Sequence, residues 1–243
     1  MIYIKGGDFF MMDYYDASNE VNNDPIQTMD MNGVLSNTFF RMFLGLLASG
    51  ITAAFAYYSG LYIPLILSNG FFYLAIAEVI VVLVFSLMFR KLSPTAVTVL
   101  FFAYAFLNGF TLSVIFAAFE LSSIVYAFFG TAALFGALAF LGYKTEKDIS
   151  SWGTVLTVAL VIGLVLTVIN LFLRSSALDI ALDWAILAIF FGLTVYDMNK
   201  IKRMGEEGFC ESEKLYVYGA MELYLDFINI FLRVLSLFGK RRN

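Results

Sequence analysis

Runs of about 18 or more apolar residues recur along this chain, each long enough for a helix to cross a ~30 Å hydrocarbon layer at ~1.5 Å per residue. Residues 152–173 carry no charge at all, and residues 71–89 carry only Glu78. Inside lipid every backbone N–H and C=O needs an internal partner, so such runs can only be helices. A membrane barrel would show alternating segments of about ten residues instead, and the chain has none of that pattern. The expected fold is an all-α, polytopic membrane bundle.

Composition agrees. Of 243 residues 61% are hydrophobic and 14% are charged, with a mean hydropathy of +0.84. Soluble domains carry about 25% charged residues. The net charge of −4 hides an asymmetry. In residues 1–38, Asp8, Asp13, Asp16, Glu20, Asp24 and Asp30 are set against Lys5 alone. That balance speaks against nucleic acid and against a basic lipid anchor. The N-terminus has no basic region followed by a short apolar core, so no cleaved signal is expected. Cys210 is the one cysteine, which excludes an internal disulfide and cysteine metal clusters. The absence of histidine removes the usual general base, metal ligand and pH switch.

Seven spans are expected, at about 39–58, 69–89, 95–119, 124–143, 152–173, 180–196 and 215–238. Residues 1–38 form an acidic tail and residues 39–243 the membrane domain. Basic residues near span ends set orientation. With the N-terminus in the cytosol, the inner segments hold Lys5, Arg41, Arg90, Lys91, Lys144, Lys147, Lys200, Lys202, Arg203 and Lys214. The outer ones hold Arg174, Lys240, Arg241 and Arg242. Ten against four favours a cytosolic N-terminus, although the basic C-terminal tail then lies outside unless the seventh span is re-entrant. Ala132/Gly136 and Ala133/Ala137 have the small-xxx-small spacing that lets helices approach closely in lipid.

Acids interrupt the apolar runs, and at about 2.5–3.5 kcal/mol each on insertion scales they ask for a reason. Glu78, Asp197, Glu222 and Asp226 lie inside spans. Glu222, Asp226 and Arg233 share one helical stripe, which cannot face lipid, so the seventh span belongs inside the bundle. Asn229 and Tyr224 add polar groups to that helix, and Asn108 and Asn170 add others. The plainer alternative is a buried pair that only sets helix register. Two close buried carboxylates share a proton rather than both ionise, which offers a pH-sensitive element without histidine. Carboxylates also suit Ca²⁺, but too few are present for a tight cage, which favours a weak transit site. An intramembrane aspartyl protease would also use two aspartates. Tyr196-Asp197 half resembles its pattern, but the residues around Asp226 do not, and no enzyme is expected.

Phe191-Gly-Leu-Thr-Val-Tyr-Asp-Met-Asn-Lys-Ile-Lys and Leu223-Tyr-Leu-Asp-Phe-Ile-Asn-Ile-Phe-Leu resemble the transmembrane Bax-inhibitor-motif family, in particular its bacterial calcium-leak members. Ala77-Glu-Val and Phe106-Leu-Asn-Gly-Phe-Thr-Leu fit the same pattern. The resemblance implies six helices around a central seventh. It maps the family's di-aspartyl pH sensor onto Asp197 and Asp226, with Arg90 as a basic partner, and Glu78, Glu222, Asn229 and Arg233 remain a pore or buried polar network. The implied function is a passive, pH-sensitive Ca²⁺ leak across the bacterial inner membrane, with Ca²⁺ as permeating ion rather than cofactor. Its partners are then lipid, Ca²⁺ and protons. The alternative is a non-conducting stress regulator that binds a membrane protease or other quality-control machinery. Helix depth leaves one choice open. From Lys214, Glu222 lies ~12 Å deep and Asp226 ~18 Å, so Glu222 competes to be the partner of Asp197, itself ~5 Å from Lys200.

Overall fold

The computed structural model describes residues 31–68, 70–89, 91–208 and 210–242. Arg90 and the tail up to residue 30 lie outside the described residues, and so do the expectations that fall on them. Every regular element described is a helix: α1 Met31–Tyr58, α2 Tyr62–Leu67, α3 Gly70–Met88, α4 Pro94–Ala118, α5 Leu121–Lys144, α6 Ser150–Leu173, α7 Ser176–Glu206 and α8 Ser212–Phe238.

Six of these are long and apolar enough to span a bilayer, namely α1, α3, α4, α5, α6 and α7. Their outer surfaces form a belt of exposed apolar side chains such as Phe43, Ile51, Leu83, Val158 and Phe172. Helix α8 has the length, at 27 residues, but Glu213, Lys214, Glu222, Asp226 and Arg233 interrupt it. The expected count of seven spans is therefore not reached on apolarity alone.

Local chemistry sets several helix ends. Ser93 caps α4 by accepting from the Ala96 amide at 3.2 Å, and Pro94 follows at the first helical position. Helix α1 ends at Ser59-Gly60, where Gly60 takes φ +77°. The short helix α2, not anticipated from the sequence, follows this turn. Arg174 closes α6 in the left-handed region. Asn170 builds that turn: its side chain accepts from Ser175 N at 3.2 Å and donates to Ser175 O at 3.0 Å and Asp179 Oδ1 at 2.5 Å.

Helix α8 packs against α1, α4, α5 and α7. Its burial runs right round the helix, through Ala220, Met221, Leu223, Tyr224, Asp226, Phe227 and Ile228, so it is central. Helices α3 and α6 lie at the edge, and Phe85 alone is buried in α3.

Two expectations change. Helix α1 is already formed at Met31, ahead of the expected 39, and Val34, Thr38 and Met42 form one buried stripe with Gly45 and Ser49 beyond them. The small residues Ala133, Gly136 and Ala137 face outward, and a Cβ on Gly136 would meet nothing within 4 Å. The close approach of α5 occurs at Gly142, where a Cβ would stand 2.4 Å from the Val195 carbonyl oxygen on α7.

Candidate functional site

Helices α7 and α8 run antiparallel, and polar side chains meet along their seam in layers. Asp197 of α7 and Asp226 of α8 form the deepest layer, 5% and 3% exposed. Their carboxyl groups lie within hydrogen-bonding reach of each other, and the Thr194 hydroxyl is within reach of Asp226. Thr194 also donates to the Phe190 carbonyl at 2.8 Å. The second oxygen of Asp226, Oδ2, has no hydrogen-bond partner. The two acids meet because one lies three residues before Lys200 and the other four after Glu222, and Lys200 and Glu222 also pair across the seam.

A neighbouring layer holds Glu222, the other acid within reach by helix depth. Lys200 Nζ is 3.9 Å from Glu222 Oε1 and donates a hydrogen bond to the Tyr218 hydroxyl. It also stands over the Tyr218 and Tyr196 rings, at 5.0 and 5.8 Å from their centres. Phe85 and Phe89 of the α3 region pack against Tyr218. Glu222 is thus matched by a lysine next to the aspartates, and its charge still acts on both of them, while Asp197 faces Asp226. Lys200 was read from the sequence only as a charge closing a span. Its spacing of three from Asp197, on the same helix face, was the available signal.

Arg233 lies further along the same stripe, which faces α7 as expected, but outside this layer. It pairs with Asp183 at 2.5 Å, and Ser236 donates to the other Asp183 oxygen at 2.6 Å. Asp183 was not among the residues singled out from the sequence, although it interrupts an expected span. Fourteen residues, about 21 Å of helix, separate it from Asp197. Asn229 also leaves the expected network: its side chain donates to the Leu225 carbonyl of its own helix at 2.8 Å.

Glu78 belongs to a third group, away from the seam. It accepts from Thr111 at 2.6 Å and lies within reach of Asn108. Asn108 accepts from the Tyr224 hydroxyl at 2.9 Å, and that hydroxyl bonds Ser49 at 2.7 Å. This chain ties α3 and α4 to the opposite side of α8 and to α1. Among the described residues no three potential metal ligands of the Asp, Glu, Cys or His type cluster together. The arrangement can hold a proton between two acids, and it offers a passing cation two carboxylates at most.

Comparison with known proteins now places the chain. Residues 31–243 match the family described as "Inhibitor of apoptosis-promoting Bax1". Inner membrane protein YbhL of Escherichia coli strain K12 is 41% identical over 215 residues, covering 86% of this chain and 92% of that protein. A membrane protein of Streptococcus pyogenes serotype M3 is 35% identical over 234 residues, covering 90% and 99%. A Rickettsia prowazekii protein is 30% identical over 240 residues, covering 96% and 100%. With six helices long and apolar enough to span a bilayer, a charged central one, and this likeness along nearly its whole length, the chain belongs to the Bax-inhibitor family of integral membrane proteins and is an inner-membrane protein.

Proposed function

We propose that this protein is a passive, pH-sensitive cation leak pathway for Ca²⁺, gated where Asp197 meets Asp226. One observation carries the reading: two carboxyl groups, both buried, face each other between the central helix and α7. Two such groups hold one proton far more cheaply than two negative charges, so the seam is tight when the proton is present. Loss of that proton sets the charges against each other and loosens α8 from α7. The opened seam exposes oxygen donors that suit a hard cation without holding it firmly. Lys200, paired with Glu222 beside the aspartates, supplies a positive charge that biases this balance. Arg90 is retained as a latch on the strength of the family resemblance.

The test is Ca²⁺ entry into liposomes that carry the purified protein and a trapped indicator, followed across neutral pH. Wild-type protein should conduct more as pH rises through the transition. Asp226→Asn should flatten that dependence several-fold. Flux no greater than in protein-free liposomes at every pH would overturn the reading and favour the non-conducting regulator.

A further inference from the structure

Helices α1, α4, α5 and α8 border an apolar cavity of about 250 Å³, open on one side and lined by Leu46, Gly50, Leu112, Phe116, Phe128 and Phe231 among others. Its one polar lining side chain, Ser49, is already bonded to the Ala105 carbonyl and to Tyr224. Water gains nothing there, since it needs two to four polar partners. The cavity is somewhat smaller than the ~300–1,000 Å³ of whole-ligand pockets, which suits a chain rather than a compact molecule. Val125 and Phe129 at its mouth are 43% and 68% exposed. They open onto the apolar belt that faces lipid. Its α5 wall, from Leu121 to Phe129, spans about 12 Å.

A cationic tail crowns the same end. The chain after α8 folds back on the α4–α5 turn: Glu120 N donates to Lys240 O at 3.0 Å, and Arg242 N to Ala118 O at 2.9 Å. Lys240 pairs with Glu120 at 2.6 Å. Arg242 donates to the Phe116 carbonyl at 3.1 Å and to the Tyr57 hydroxyl, and Arg241 lies 6.0 Å over the Phe119 ring. Among the described residues neither arginine has a carboxylate partner. Phe116 joins the two features, because its side chain lines the cavity while its carbonyl holds Arg242.

We propose that this end of the bundle is a binding site for an anionic glycerophospholipid. Arg241 and Arg242 take the phosphate of the headgroup, and the cavity takes one acyl chain. Guanidinium groups suit a phosphate by geometry as well as charge. A chain in the cavity packs against the helix that carries Tyr224 and Asp226, so lipid composition gains a purchase on the central helix. The site does not rest on the Ca²⁺ reading, because occupancy is measured without flux.

The experiment exchanges purified protein into phosphatidylcholine vesicles with or without phosphatidylglycerol. The protein is then extracted gently, and retained lipid is counted by native mass spectrometry. Wild-type protein should retain phosphatidylglycerol several-fold over phosphatidylcholine. Arg241→Gln with Arg242→Gln should abolish that preference and leave chain retention. Gly50→Leu should abolish retention of both lipids, since Gly50 lines the cavity and a Cβ there meets nothing within 4 Å, which leaves room for the side chain to occupy the acyl-chain position. Val125→Trp, at the exposed mouth, should do the same and guards against misfolding of the first variant. Equal retention of the two lipids by the wild type, or wild-type retention in folded Gly50→Leu or Val125→Trp protein, would overturn the proposal.

Discussion

Asp183 and Asp226 are both buried aspartates on the α7–α8 seam, and their neighbours give them opposite roles. Asp183 answers a charge: Arg233 and Ser236 satisfy both of its oxygens. Asp226 faces another acid and leaves one oxygen without a partner. Removing one member of a desolvated ion pair costs about 3–5 kcal/mol, and less here because Arg233 stays 25% exposed. Asp183→Asn should therefore lower stability by roughly 2–3 kcal/mol. Asp226→Asn should leave stability unchanged or raise it, since it removes like-charge crowding and keeps the shape. Thermal unfolding of both variants in one detergent checks this. Equal destabilisation would mean that Asp226, too, is held by a counter-charge.

At the scale of elements, packing turns on which small residue meets a neighbour. Gly142→Ala should loosen α5 from α7, because the new Cβ falls 2.4 Å from a backbone oxygen that cannot rotate away. Overpacking of this kind costs about 1–3 kcal/mol. Gly136→Ala, six residues earlier on the same helix, should instead gain about 0.5–1 kcal/mol through helix propensity, as the site is open. Denaturation in mild detergent separates the two. Spacing alone pointed to the wrong glycine, because a helix shows its small residues without showing which face has a partner.

The link between α5 and α6 carries a pH dependence of its own. Ser150 hydrogen bonds, from side chain and backbone, and then Arg203, hold the Asp148 carboxyl down to about 2. A depressed carboxylate stabilises the fold above its unfolded value of about 3.9, and the contribution disappears as pH falls through the folded value. The α5–α6 connection should thus stay pinned above about pH 4 and loosen between about pH 4 and 2. Hydrogen exchange at Ser150 and Ser151 reads this. Asp148→Asn should show the loosened behaviour at neutral pH.

For the molecule as a whole, the weakness of α8 as a span is the consequential feature. Each central Asp or Arg adds about 2.5–3.5 kcal/mol against insertion, so α8 should fail to insert alone in a guest-segment assay, while α3 and α6 insert readily. Replacing Glu222, Asp226 and Arg233 together with leucine should convert α8 into an inserting segment. Insertion of unaltered α8 at the level of α3 would contradict this. In the assembled bundle the same charges are tolerated because α7 supplies Lys200, Asp197 and Asp183 opposite them.

The sequence by itself determined the solvent, the helical class and the need for a covered α8. Apolar runs such as 152–173 cannot satisfy their backbone any other way in lipid, and a stripe of charge cannot face hydrocarbon. It also marked Asp197 and Asp226, since acids inside such runs stand out. The tertiary structure alone decided the pairings. Helix spacing gives the direction of a side chain on its own helix but not the register of the helix opposite. That register matched Glu222 with Lys200, left Asp197 to Asp226, sent Arg233 to the overlooked Asp183, and turned Asn229 back onto its own backbone.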